Sequence, residues 1–151
     1  MMLNDAVKTT RKLSQLYAFT SIQMHEAVAR KAGISGTDHK YLGFLIEKGQ
    51  MTAGELATLT GLTTGAVTGL IDRFEKKGLV SRKFAADDRR KVFIIPNTET
   101  IMALLEPLYR DFRSQSQQLL ASFSDEERAI IDTYFTKAIA LMNEMIDLLN
   151  D

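Results

Sequence analysis

The chain has 151 residues, 45% of them hydrophobic and 25% charged, and its 19 lysines and arginines balance 19 aspartates and glutamates. This composition is that of a globular domain and excludes intrinsic disorder as the main state. Because there is no cysteine, disulfides, thiolate nucleophiles, cysteine–zinc sites and thiol-based redox sensing are excluded as well.

Two helices are predicted in the first third of the chain. Residues 3–32 have apolar side chains near helical spacing, an Asn-Asp pair that can cap the N-terminus, and a glycine just past the end. After a turn, Thr37 is placed to cap a second helix over residues 38–48, which Gly49 ends.

A helix-turn-helix is predicted next. Thr52 and Glu55 have the spacing of a capping box, which opens a short helix that a glycine ends. Thr63 or Thr64 then caps a longer helix that runs to Lys77. A short helix, a tight glycine-containing turn and a longer helix are typical of this motif.

A β-hairpin and two more helices complete the predicted elements. Residues 79–84 and 91–95 are β-branched or aromatic runs, and the polar segment between them contains no glycine, which favours a longer loop over a two-residue turn. A helix then starts at Asn97 or Thr98. A second capping box opens the last helix, which ends at about residue 150.

The sequence contains no constellation that catalysis requires. His25 and His39 belong to different predicted elements without a carboxylate at metal-ligand spacing, and there is neither a glycine-rich phosphate loop nor a nucleophile elbow. We therefore expect no enzyme activity, no catalytic residue, no cofactor and no metal. Without a membrane span or a signal peptide in the sequence, we also expect a cytoplasmic protein with no membrane partner.

The helix predicted from residue 64 to residue 77 has two contrasting faces. At 100° per residue, its core face consists of Val67, Leu70, Ile71 and Phe74. The opposite face carries Gly65, Thr68, Gly69, Asp72 and Lys76. Exposed glycines cost roughly 1 kcal/mol each in a helix, so they are either a tolerated defect or a bare backbone that a bulky partner approaches. Threonines beside them can contact phosphates and thymine methyl groups.

The charge of the chain is unevenly distributed. Residues 73–91 carry eight basic and three acidic side chains, a local net charge of +5, while residues 1–72 sum to +1 and residues 92–151 to −6. A charge run is often only a solvated face. Here it lies on the helix-turn-helix and the hairpin after it, where a duplex-binding surface needs cations. The zero net charge therefore does not exclude a nucleic-acid partner.

These features resemble the MarR family of winged-helix transcriptional regulators over nearly the whole chain. The resemblance is most specific in TTGAVTGLIDRFEKKGLV at residues 63–80 and in the Asp-Arg-Arg of the hairpin. It implies a mainly α fold with a small β-hairpin wing, in which a winged helix-turn-helix DNA-binding lobe joins a helical dimerisation lobe. The resemblance implies a single domain over residues 1–151. Within it, the DNA-binding region is 37–97, and the dimerisation region consists of 1–36 and 98–151.

The resemblance also implies a homodimer on double-stranded DNA, with a recognition helix in the major groove and the wing in the minor groove. By position, Arg90 is the arginine that enters the minor groove, Asp88 orients it, and Arg73 helps to secure the helix to the wing. The residues expected to bind DNA are Thr63, Thr64, Gly65, Thr68, Arg73, Lys76, Arg82, Asp88, Arg89, Arg90 and Lys91.

Dimerisation has support in the last helix, whose apolar side chains spread beyond a single stripe. This favours burial against a second copy, with burial inside one chain as the alternative. The leading hypothesis is thus a repressor that a small molecule releases from a pseudo-palindromic operator. Winged-helix protein–protein binding and small-molecule binding with weak DNA affinity are the alternatives. An effector pocket would be lined by Tyr17, Met24, His25, His39 and Arg113.

Overall fold

The computed structural model describes residues 4–151, which form six helices and three short strands. The helices are α1 (Asp5–Ala32), α2 (Gly36–Lys48), α3 (Ala53–Thr60), α4 (Thr64–Lys76), α5 (Thr98–Ala121) and α6 (Asp125–Asn150). The strands are β1 (Met51–Thr52), β2 (Val80–Phe84) and β3 (Val92–Pro96). The predicted fold class, mainly α with a hairpin wing, is confirmed. Residue 3 of the predicted first helix lies outside the described residues.

Side-chain caps define most of the helix starts. The capping box of Thr52 and Glu55 is present at α3, and Thr63 caps α4 by accepting a hydrogen bond from the backbone N–H of Ala66. The predicted cap of α2 is wrong. Ser35, in an extended conformation, accepts from the N–H of Asp38, so that Thr37 already lies in the first turn of the helix.

A three-stranded antiparallel sheet has β3 in its centre, between β1 and β2. The hairpin of β2 and β3 pairs from Val80 opposite Pro96 to Phe84 opposite Val92, and each strand begins one residue later than predicted. Its long loop is closed by a hydrogen bond from the N–H of Ala85 to the carbonyl of Lys91. Strand β1 was not predicted, because two residues are too few to show alternation.

The chain forms two compact units, one up to Tyr109 and one from Arg110 to Asp151. The first contains the hydrophobic core, which the predicted core face of α4 enters with four buried side chains. They pack in one cluster with buried side chains of α2, α3, β3 and the first turn of α5: Leu42, Leu45, Leu56, Ile94 and Ile101. In the second unit, none of the residues of α6, all of which the structure describes, is buried.

Candidate nucleic-acid interface

The outward face of α4 is the first part of the candidate interface. Thr63, Thr64, Gly65 and Thr68 are all exposed. A Cβ added at Gly65 would meet no atom within 4 Å, so packing within the described chain does not require glycine at this position. The hydroxyl of Thr68 donates to the carbonyl of Thr64 at 3.0 Å, which leaves its oxygen able to accept a further hydrogen bond.

Arg73 joins α4 to α2. Its Nε and Nη2 each donate to a carboxylate oxygen of Asp38 over 2.9 Å, and these hydrogen bonds raise the pKa of Arg73. Asp38 is buried. Near the end of α4, the Nζ of Lys77 donates to the carbonyl of Gly33 at 2.9 Å. The expectation that Arg73 secures the helix to the wing is therefore wrong: its guanidinium holds α4 to α2, because Asp38 at the start of α2 lies within reach.

The link between helix and wing is made by Arg82 of β2. Its Nη1 donates to Glu75 at 2.7 Å and its Nη2 to Asp72 at 2.5 Å. Both carboxylates belong to α4. The hydrogen bond with Asp72 is the largest cause of the raised pKa of Arg82. Sequence reasoning grouped Arg82 with the DNA contacts, since nothing local shows that its partners lie in the last two turns of the preceding helix.

The wing presents its cations to solvent. Asp88 accepts hydrogen bonds on one carboxylate oxygen from the backbone N–H of Arg90 at 2.9 Å and from its Nε at 3.2 Å, so the expected contact is present. The side chain of Arg90 is nonetheless 93% exposed. Arg89 and Lys91 beside it are exposed, as is Lys76 on α4. The Nζ of Lys91 lies 5.4 Å from the ring centroid of Phe93.

Comparison with known proteins decides the family. A sequence model of the MarR family matches residues 32–91. The uncharacterized HTH-type transcriptional regulator YcgE of Bacillus subtilis (strain 168) is 37% identical over 146 residues, which cover 97% of this chain and 94% of the relative. The chain belongs to the MarR family. Its members are transcriptional regulators that bind DNA and are not enzymes, in agreement with the expectation from the sequence.

Solved MarR-family structures share the fold. A MarR family protein from Bacillus stearothermophilus superimposes with a TM-score of 0.72 at 27% identity, over 95% of this chain and 99% of the other. A MepR variant from S. aureus, bound to an oligodeoxyribonucleotide, gives a TM-score of 0.58 at 25% identity, over 86% of this chain and 97% of the other. Within the described residues, no helix has the length and apolar character needed to cross a membrane.

Two of the expected effector-binding residues of this MarR-family chain lie together. The Nδ1 of His25 in α1 is 2.7 Å from the hydroxyl oxygen of Tyr109 in α5, and the same oxygen is 3.1 Å from the Nε2 of His39 in α2. The two imidazoles stack with centroids 5.8 Å apart. We call these three residues the His–Tyr cluster. Burial raises the pKa of Tyr109.

Sequence reasoning missed Tyr109 as a polar partner, because in the sequence it lies among the apolar residues Leu105, Leu108 and Phe112 of α5. No local signal identifies the contact with either histidine. Of the other expected pocket residues, Tyr17 is exposed on α1 and Met24 is half-buried next to His25 in the chain. Arg113 belongs to the second unit.

Lowering the pH is expected to destabilise the fold around His39. Burial and, second, the charge of His25 lower the pKa of His39 from its ordinary value of 6.5. A histidine whose pKa is lower in the folded chain takes up its proton more readily when the chain is unfolded. Its contribution to stability is therefore present above the pKa of the unfolded chain and is lost as the pH falls through the pKa of the folded chain. His39→Gln should therefore show a smaller loss of melting temperature than the wild type between pH 6.5 and about 5. Equal losses in circular-dichroism melts would contradict this.

Proposed function

We propose that the protein is a homodimeric transcriptional repressor that binds a pseudo-palindromic duplex operator and is released by a small molecule. The observation that carries the proposal is the surface formed by the outward face of α4 and the wing, which Arg82 joins. Its DNA contacts would be the threonines and Gly65 of α4, the lysine at its end and the basic residues of the wing tip. They are Thr63, Thr64, Gly65, Thr68, Lys76, Arg89, Arg90 and Lys91.

The proposed mode of binding uses both grooves. The N-terminal half of α4 would enter the major groove, where the glycine lets the backbone approach closely and the threonines meet phosphates and bases. Arg90 would enter the adjacent minor groove, where the negative potential favours a guanidinium. The contact with Asp88 supports this role, because it restricts the side chain before DNA is bound.

The proposed dimer rests on apolar faces that each unit leaves exposed. In the first unit they lie on the first two-thirds of α1, and in the second on α6. Large exposed apolar side chains on these helices include Leu13, Leu16, Phe19, Ile22, Ile130, Ile139, Leu141, Met142, Ile146, Leu148 and Leu149. Such a surface marks an interaction site. A two-fold dimer would present two recognition helices about 34 Å apart, one turn of duplex DNA.

Two further observations support the repressor role and the effector response. The HTH-type transcriptional repressor YetL of Bacillus subtilis is 29% identical over 102 residues. Within this chain, Asp38 and His39 are consecutive residues of α2: one binds Arg73 of the recognition helix and the other contacts Tyr109. A ligand that hydrogen-bonds to His39 in place of Tyr109 would act next to Asp38, which holds α4 through Arg73.

The decisive experiment is selection of duplexes from a random pool by the purified protein. We expect enrichment of two inverted half-sites whose centres lie about 10 base pairs apart. Affinity for the selected duplex should fall by about 10³ between 50 and 200 mM salt if about six phosphates are contacted. Failure to enrich any sequence, or affinity independent of salt, would contradict DNA recognition by this surface.

A further inference from the structure

An arginine at the junction between wing and recognition helix is held by two carboxylates. Arg82 lies on β2, and its partners Asp72 and Glu75 lie on the C-terminal half of α4. The side chain of Arg82 is only 25% exposed, whereas those of Asp72 and Glu75 are 61% and 46% exposed. The arginine is therefore the inner member of the group and the carboxylates are the outer members.

The position of these carboxylates is unfavourable for a protein that binds DNA. Asp72 lies on the outward face of α4, on which Gly65, Thr68 and Lys76 also lie. An uncompensated carboxylate close to a phosphate costs affinity, because like charges repel across an interface. In the free protein, Arg82 reduces this cost: each carboxylate accepts a charge-assisted hydrogen bond from a different Nη atom, and the arginine offsets one of the two negative charges.

We propose that Arg82 is a positioning residue for DNA binding and does not itself contact DNA. Its guanidinium fixes the wing relative to α4, so that the helix and Arg90 engage their grooves together, and its positive charge offsets one of the two negative charges of Asp72 and Glu75 within the interface. The proposal rests on the proposed use of α4 and the wing to bind DNA. The proposal gives Arg82 and Arg90 different roles. Both belong to the hairpin, but the side chain of Arg82 is 25% exposed and that of Arg90 is 93% exposed.

A direct DNA contact would require a different arrangement of Arg82. To reach a phosphate, the guanidinium would have to leave two carboxylates, each of which accepts a hydrogen bond from one of its Nη atoms. Those carboxylates would then be exposed uncompensated in the same interface. The positioning role requires no rearrangement, because β2 and α4 are already joined in the free protein.

A charge-matched pair of variants tests the proposal on the selected duplex. Arg82→Gln should bind the duplex at least about tenfold more weakly than the wild type, because Asp72 and Glu75 then repel the DNA phosphates. Adding Asp72→Asn restores the net charge of the group but not the link between wing and helix, so we expect this double variant to regain only the part of the affinity that was lost to charge repulsion. Its plot of log affinity against log salt should keep the wild-type slope, since no phosphate contact is lost.

The control is Arg90→Gln, alone and with Asp72→Asn. We expect Arg90→Gln to lower the salt slope by about 0.9, the value for one phosphate neutralised, and Asp72→Asn to give no rescue in that background. If the Arg82→Gln, Asp72→Asn variant stays as weak as Arg82→Gln, with a lower slope, then Arg82 contacts DNA and the proposal is wrong. Should Arg82→Gln alone fail to fold, the salt slope of the double variant is compared with that of the wild type. An unchanged slope supports the positioning role, and a lower slope shows that Arg82 contacts DNA.

A measurement without DNA keeps this inference separate from the proposed function. Amide hydrogen exchange in β2 and β3 of the free protein should be faster in Arg82→Gln than in the wild type, and unchanged in Arg90→Gln. Unchanged exchange in Arg82→Gln would overturn the positioning role even if the protein binds DNA. Faster exchange in a protein that binds no duplex would overturn the proposed function and leave the wing–helix link established.

Discussion

A protein in which Leu148 and Leu149 are both replaced by glutamate is expected to be a folded monomer. These side chains are 68% and 77% exposed near the end of α6, so they contribute little to the packing of a single chain. In a dimer interface the same positions would be desolvated, and unpaired carboxylates buried there would prevent association. Sedimentation velocity measures the association state, and far-UV circular dichroism should show the helix content of the wild type.

Loss of the proposed dimer should have a large effect on DNA binding. A dimer places its second recognition helix at high effective concentration near the second half-site, which raises affinity by about 10²–10⁴ over a single module. The glutamate variant should lose this factor on a duplex with two half-sites and bind a single half-site as the wild type does. Replacing both leucines by methionine keeps the surface apolar and should preserve the dimer. An intact dimer with both glutamates would exclude this end of α6 from the interface.

Much of the DNA-binding lobe could be predicted from the sequence because its signals are local. The capping box of Thr52 and Glu55 and the cap at Thr63 each involve residues three positions apart. The buried face of α4 follows from helical periodicity, and all four predicted residues are buried. The start of α2 was misplaced by two residues because Gly36, read as part of a turn, lies in the first turn of the helix.

The contacts that organise the site could not be predicted, because they join residues far apart in the chain. The pair of Arg73 and Asp38 spans 35 positions, and the contacts of Tyr109 with His25 and His39 span 84 and 70. Periodicity and motif spacing carry no information at such separations. The residue types were nevertheless suggestive: the basic residues of 73–91 were recognised as a group. Only the fold separates Arg73 and Arg82, which bind carboxylates of another helix or strand, from the basic residues of the wing tip, which face solvent.

Arg90→Ala is expected to weaken binding of the selected duplex by about 1–3 kcal/mol, roughly fivefold to 150-fold. The side chain is 93% exposed, so its removal should leave the melting temperature and the association state unchanged. A mobility-shift titration at two salt concentrations measures the loss and should show a salt slope lower by about 0.9 if the guanidinium neutralises one phosphate. Unchanged affinity would contradict the role of the wing.

Asp88→Asn separates the charge of Arg90 from its orientation. The substitution removes a negative charge from the wing, so electrostatics alone would predict tighter binding to DNA. It also weakens the acceptor of the two hydrogen bonds from the backbone N–H and the Nε of Arg90. We expect a net loss of affinity, smaller than that of Arg90→Ala, because an arginine restrained before binding loses less conformational entropy on entering the groove. Tighter binding by Asp88→Asn would show that the wing acts through its charge and not through a preset arginine.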